Sequence, residues 1–223
     1  MDADANPTIT AIHLVSRRST RRQVELDSGE TFSVDASLLT RFRLSVGTAV
    51  SPERRGEVAA EDERLRAKCS GFDLLRVRTF GRAEMAERLR RKGYSADAAA
   101  YAADALSSLG YVSDADFAEQ YVASRQRRNP RSRTALRREL RRKGIDRTAI
   151  ERAVAAISGE DEWEAALRAA KKQLPRYRTL PRDVARRRLY DFLLRRGFSF
   201  EIVRKALQET MGQDRQTVES GVE

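Results

Sequence analysis

Apolar positions along the chain fall into a pattern that occurs three times. The segments MAERLRRKGYS, LRRELRRKGID and LYDFLLRRGFS place glycines at 93, 144 and 197. Apolar residues precede each glycine at the same two offsets: Met85 and Leu89, Leu136 and Leu140, Leu189 and Leu193. An i, i+4 pair repeated in this way predicts a helix with one buried face. The glycine predicts where that helix stops, because the left-handed conformation just past a last turn is open to Gly without steric cost. Tyr94, Ile145 and Phe198 follow as apolar residues that can pack back on the helix end, and then Ser95, Asp146 and Ser199 as caps for a new helix. The second helices carry matching stripes at Ala102 and Leu106, at Ile150, Val154 and Ile157, and at Ile202, Ala206 and Leu207.

Repeats about 50 residues long leave room for one more helix before each motif. Suitable stretches are 61–77, 114–126 and 160–174, with Leu74, Phe117, Tyr121, Trp163 and Leu167 as core candidates, and Ser113 with Asp116 forms a capping-box pattern. Pro130, Pro175 and Pro181 fall in the connections. Residues 8–50 alternate differently. Ile9, Ile12 and Leu14, then Val24 and Leu26, then Phe32 and Val34, with Ser28-Gly29 before the last pair, predict short strands and a hairpin. The polar stretch 51–60 reads as a linker, and 1–7 and 212–223 as frayed ends. The expected fold is therefore mainly α: three tandem three-helix modules in an elongated curved array, with a small N-terminal β-hairpin extension. Its divisions are 1–60 for the extension and linker, 61–112, 113–158 and 159–212 for the modules, and 213–223 for a disordered tail.

Charge adds a direction to this picture. The chain of 223 residues carries a formal net charge of +11, concentrated as +6 in 113–158 and +5 in 159–212. Such a field favours a polyanion or an acidic protein surface as partner. For any single arginine the simpler reading is a solvated surface residue. No run of apolar residues approaches the ~18 to 20 needed to span a bilayer, so no membrane insertion is expected. The start MDADANPTIT lacks a basic, apolar leader, and the single cysteine, Cys69, has no internal disulfide partner, so the expected compartment is the cytosol.

The tools of an enzyme are largely missing. His13 is the one histidine, Cys69 has no second histidine to pair with, and no glycine-rich loop followed by Lys and Ser or Thr is present to cradle a triphosphate. Asp114 and Asp116 could be drawn as a Mg²⁺ pair, but acids in the first turn of a helix are expected from its dipole. No cofactor, no metal and no catalytic residue is assigned.

With these residues in hand, the chain resembles the RecX family over nearly its whole length. GYVSDADFAEQYVASR at 110–125 is similar to that family's central segment, ELRRKGI at 139–145 and FLLRRGF at 192–198 match its second and third glycine turns, and ITAIHLVSRRSTRRQVELDSGETFSVD resembles the β extension of some members. Ser113 stands where the first of two Asp residues is usual, Gly81 near a frequent Ser, and Ser132 in place of a common Gly. The resemblance implies a non-enzymatic regulator that binds the RecA recombinase and its filament on single-stranded DNA, suppressing ATP hydrolysis, strand exchange and repressor cleavage. The expected contacts are basic: Arg125, Arg127, Arg128, Arg131, Arg133, Arg137, Arg138, Arg141, Arg142 and Lys143 in one patch, and Lys171, Lys172, Arg176, Arg178, Arg186, Arg187, Arg188, Arg195 and Arg196 in another. Tyr177, between two arginines, is the expected stacking residue. A monomer is expected. The alternative is a helical-repeat protein that binds DNA directly, since helix, turn and helix with cations also describes a groove reader.

Overall fold

The computed structural model describes residues 6–17 and 19–212, so the tail 213–223 lies outside the described residues. Of the stretches read as frayed ends, residues 1–5 also lie outside the described residues, while the Pro7 carbonyl accepts the Val50 N–H at 2.8 Å and Gly212 ends a helix. Three strands, β1 (Ile9–Leu14), β2 (Arg21–Leu26) and β3 (Thr31–Asp35), are followed by α1 (Ala36–Arg41), α2 (Pro52–Leu75), α3 (Arg82–Arg91) and α4 (Ala96–Ser108). Then come α5 (Asp114–Arg128), α6 (Arg133–Arg142), α7 (Arg147–Ala155), α8 (Gly159–Gln173), a 3₁₀ turn (Leu174–Tyr177), α9 (Arg182–Arg195) and α10 (Phe200–Gly212). The protein is mainly helical with a small antiparallel sheet in the order β1-β2-β3. Among the described residues no helix is long and apolar enough to cross a membrane.

Two compact units form, one from the residues up to Arg78 with Met85–Tyr111, the other from Thr79–Glu84 with Val112 onward. In the first, the hairpin turns at Gly29 (φ 82°) as its sequence predicts, and the sheet buries Ile9, Val24, Leu26 and Val34 against Leu38 of α1 and Val58 of α2. Asp62 of α2, 4% exposed, fixes the sheet. It accepts from both terminal guanidinium nitrogens of Arg21 at 3.0 Å and from the Asp35 N–H at 2.9 Å. The reading of 51–60 as a linker does not hold: 52–60 are the start of α2. Ser51 caps it by accepting the Arg54 N–H, and Pro52 and Glu53 occupy its first turn, a combination that starts a helix even where the next residues are polar. Helices α2 and α4 pack together and both bury small residues, Ala67 and Gly71 on α2 and Ala98, Ala99, Ala102 and Ala103 on α4. A Cβ on Gly71 would lie 2.4 Å from Leu106 Cδ1.

The second unit holds two three-helix arrangements, each with its own core. Phe117, Ala118 and Val122 of α5 pack with Leu136, Leu140, Ile145, Ile150 and Val154. Ala165, Ala166, Ala169 and Ala170 of α8 pack with Leu189, Leu193, Phe198, Val203 and Ala206. The expected core residues of the first helices are only partly right: Phe117 is buried, whereas Leu74, Tyr121, Trp163 and Leu167 are half-buried. Alanines do the packing instead, because a short side chain lets two helix backbones approach closely. Pairing at the caps also differs, since the reciprocal capping box is completed by Ser158 and Asp161, while at Ser113 the side chain accepts the Asp116 N–H.

The three glycine corners have the same local geometry. Gly93, Gly144 and Gly197 have φ of 97°, 71° and 85°. In each, the following N–H returns to the carbonyl five residues back: Tyr94 to Leu89 at 3.3 Å, Ile145 to Leu140 at 3.2 Å and Phe198 to Leu193 at 3.4 Å. This closes the last turn as a left-handed glycine cap does. Ser95, Asp146 and Ser199 then accept N–H bonds from the next helix, at Ala98, Thr148 with Ala149, and Ile202.

Candidate functional site

The cations of the second unit were expected to form its working surface, and the structure separates them into two groups. In the first, side chains are held by partners within the fold. Arg125 and Arg131 converge on Glu139, which is 9% exposed, at 3.1 and 3.5 Å. The Tyr121 hydroxyl donates to the same carboxylate at 2.7 Å and accepts from Arg125 at 2.8 Å. Burial, then the bond to Glu139, pushes the Tyr121 phenol above its ordinary value. Arg133 grips Glu162 of α8 with its guanidinium at 2.7 Å and its own N–H at 2.9 Å. Arg137 pairs with Glu151 at 2.9 Å, and Lys143 with Glu84 at 3.1 Å beneath the rings of Phe117 and Tyr121.

Arg196 belongs to this group too. It donates to the Asn129 side chain and to the Pro130 carbonyl at 2.9 Å, with its guanidinium 4.3 Å from the Phe192 ring centre. Burial, followed by repulsion from Arg131 and Arg125, holds its pKa below the usual arginine value. Tyr177 is half-buried against the third core and its hydroxyl accepts from Gln173 at 3.0 Å.

The second group is exposed and carries no ion pair among the described residues: Arg127 and Arg128 at the end of α5, Arg138, Arg141 and Arg142 on α6, Lys171 and Lys172 at the end of α8, Arg176 and Arg178 around the 3₁₀ turn, and Arg186, Arg187, Arg188 and Arg195 on α9. Many stand in the last turn of a helix, where the free carbonyls and the helix dipole already favour a cation. Members of the two expected patches meet at the connection Asn129–Ser132. Lys172 Nζ reaches the Arg128 carbonyl at 3.5 Å, Arg131 reaches the Arg195 carbonyl at 3.5 Å, and the Ser132 N–H donates to the Arg196 carbonyl at 3.2 Å. The ends of α5, α8 and α9 thus gather Arg127, Arg128, Lys172 and Arg195 around one loop.

The acids had no comparable role in the sequence reading. Asp114, weighed as half of a metal pair, accepts the Arg82 N–H at 2.8 Å and the Asp146 N–H at 3.0 Å, one on each oxygen. It therefore caps two helices. Glu139 was legible in part, since it lies beside Leu136 and Leu140 on the apolar face of α6. A further feature had no signal in the repeat: a groove of about 1080 Å³ between α9 and α10, which includes Arg204 and Phe200. Among the described residues no group of three or more His, Cys, Asp or Glu side chains is arranged to hold a metal ion.

Similarity to known proteins runs along the same division of the fold. Residues 113–154 match the family model described as RecX, second three-helix domain, and residues 160–207 match RecX, third three-helix domain. The regulatory protein RecX of Bacillus licheniformis is 30% identical over 204 residues, covering 92% of this chain and 78% of its own length. That of Mycobacterium avium is 38% identical over 154 residues, covering 68% and 87%. A crystal structure of regulatory protein RecX shares the fold with a TM-score of 0.69 at 24% identity, covering 88% of this chain and 96% of that one. The protein described here belongs to the RecX family of regulatory proteins.

Proposed function

We propose that this protein is a cytosolic negative regulator of homologous recombination and of the SOS response that binds the RecA recombinase and its filament on single-stranded DNA. It acts by occupancy and not by catalysis: docked along the polymer as a monomer, it blocks incoming duplex or stiffens the geometry between protomers, lowering ATP hydrolysis, strand exchange and repressor cleavage. What supports this reading most directly is the group of unpaired cations on α5, α6, α8 and α9, in a chain of the RecX family. A nucleoprotein filament offers phosphates and acidic side chains to such a surface.

The test is co-sedimentation with RecA, with and without single-stranded DNA and an ATP analogue, over about 50 to 200 mM salt. Retention on preformed filaments is expected to exceed retention on naked single strands throughout, and to fall less steeply with salt than the ~10³-fold or greater loss produced by six or more phosphate contacts. Equal retention on filaments and on naked DNA would overturn the reading and favour a protein that binds DNA directly.

A further inference from the structure

We infer that the groove between α9 and α10 is a binding subsite for a single strand of nucleic acid, with Phe200 as a stacking platform and Arg186 and Arg204 as phosphate contacts. This goes beyond the recombinase-directed reading above and does not depend on it.

Phe200 is the starting point. It is the first residue of α10, directly after the cap Ser199, and is 69% exposed. The corresponding positions after Ser95 and Asp146 hold Ala96 and Arg147, so the repeat itself needs no aromatic there. An exposed ring at a site where the fold accepts alanine contributes nothing to the core. Its surroundings carry more cations than acids: Arg182, Arg186, Arg187 and Arg204 line the groove with Asp183 and Glu201. Arg186 and Arg204 line the same groove, both exposed and without an ion pair among the described residues, and Tyr190 adds a second, half-buried ring.

The kind of partner is set by what the groove lacks. Its aliphatic residues, Leu207 and Met211, are 9% and 8% exposed and already belong to the core beneath, so an apolar peptide face would find little to cover. What remains is the Phe200 ring with Tyr190 behind it, four guanidinium groups, and the shorter polar side chains of Asp183, Glu201 and Gln208. Bases stack on aromatic rings whatever their sequence, and phosphates pair with guanidiniums. From Arg182 to Tyr190 the wall of α9 is about 12 Å long at 1.5 Å per residue, long enough to lie along a short run of a single strand.

Fluorescence anisotropy of a labelled oligothymidylate, with the full chain and no recombinase, tests the inference. Phe200→Ala is expected to weaken binding by about five-fold or more, while Phe200→Trp keeps it. Arg186→Gln with Arg204→Gln is expected to weaken binding and to lower the salt slope by about 1.4, or 0.7 per phosphate contact on a single strand. A duplex of the same length is expected to bind with no dependence on Phe200. Parent-like oligonucleotide binding by both the Ala variant and the double Gln variant would overturn the proposal. So would polyglutamate binding as tightly as the oligonucleotide with the same loss on Phe200→Ala, which would mark the groove as a site for an acidic protein. Position 200 accepts alanine in the repeat, so loss of the fold does not mask these outcomes.

Discussion

The carboxylate of Asp114 holds the backbone N–H of Asp146 at 3.0 Å across thirty-two residues, and Glu63 holds the backbone N–H of Ser95 at 2.8 Å across the same separation. In both places an acid on the first helix of a repeat fixes the residue that caps the third. Asp114 also caps α3 through the Arg82 N–H. Replacing it with Ala removes both acceptors and is expected to cost about 1 to 3 kcal/mol, the range for one or two lost caps. Chemical denaturation of Asp114→Ala checks this, and a variant as stable as the parent would show that water replaces the carboxylate at both N–H groups.

The three glycine corners share a conformation, but their surroundings differ, which gives a graded prediction. A Cβ on Gly93 meets nothing within 4 Å, whereas on Gly144 it would lie 2.6 Å from Ala83 Cβ and on Gly197 2.6 Å from Ser132 Oγ. Gly93→Ala is expected to cost about 1 kcal/mol, from the positive φ alone. Gly144→Ala and Gly197→Ala are expected to cost about 2 to 3 kcal/mol, because crowding adds to the strain. Gly144→Val is expected to be worse again, since a branched Cβ enters the left-handed region least readily. Unfolding midpoints of the series check the order.

Removing charge from Glu139 separates the two groups of cations. Glu139→Gln leaves Arg125 and Arg131 facing a neutral amide. The expected cost is about 1 to 3 kcal/mol, below that of a fully buried pair because the two guanidiniums are 35% and 26% exposed. Replacing the outer residues Arg138 and Arg142 with Gln is expected to change stability by less than about 0.5 kcal/mol while weakening filament binding. Thermal unfolding and filament co-sedimentation, run on the same variants, read the two effects independently.

Acid sensitivity arises from the capping carboxylates. Backbone bonding, first from Ala149, holds Asp146 below its ordinary value of 3.8. The Ser95 hydroxyl, followed by the Ser95 N–H, holds Glu63 below 4.5. A carboxyl with a depressed folded pKa binds protons more weakly in the folded chain than in the unfolded one. Its contribution is complete above those ordinary values and is lost as the pH falls through them and then through the lower folded pKa. The unfolding temperature is therefore expected to be flat from about pH 7 to 5 and to drop below about pH 4.5. Glu63→Gln combined with Asp146→Asn is expected to make that drop shallower, as pH-dependent calorimetry would show.

Residues whose constraints are local were legible in the sequence. Glycine is the residue that enters the left-handed region freely, so Gly93, Gly144 and Gly197 announced three helix ends, and the pairs before them announced three buried faces. The start of α2 was hidden because Glu53, Arg54 and Arg55 look like a linker in composition, although Ser51-Pro52-Glu53 carries a helix-start signal. On α4 the stripe of Ala102 and Leu106 was legible, whereas the alanine face of α8 was overlooked because large residues such as Trp163 look like better core. Sorting the cations was out of reach for another reason. Arg125 meets Glu139 within fourteen positions, but Arg133 finds Glu162 twenty-nine residues away and Arg196 finds Asn129 sixty-seven away, and a count of charges does not say which guanidiniums are already engaged.

The grip of Glu162 on the Arg133 N–H and side chain has a consequence for biosynthesis. The opening turn of α6 is completed by a residue that leaves the ribosome only after α7 has been made, so that repeat stays unfinished until the next begins to emerge. Cutting the chain between α7 and α8 would leave the earlier repeat with a frayed entrance. Shuffled or shortened arrays of these repeats would therefore need a replacement acid at every new junction.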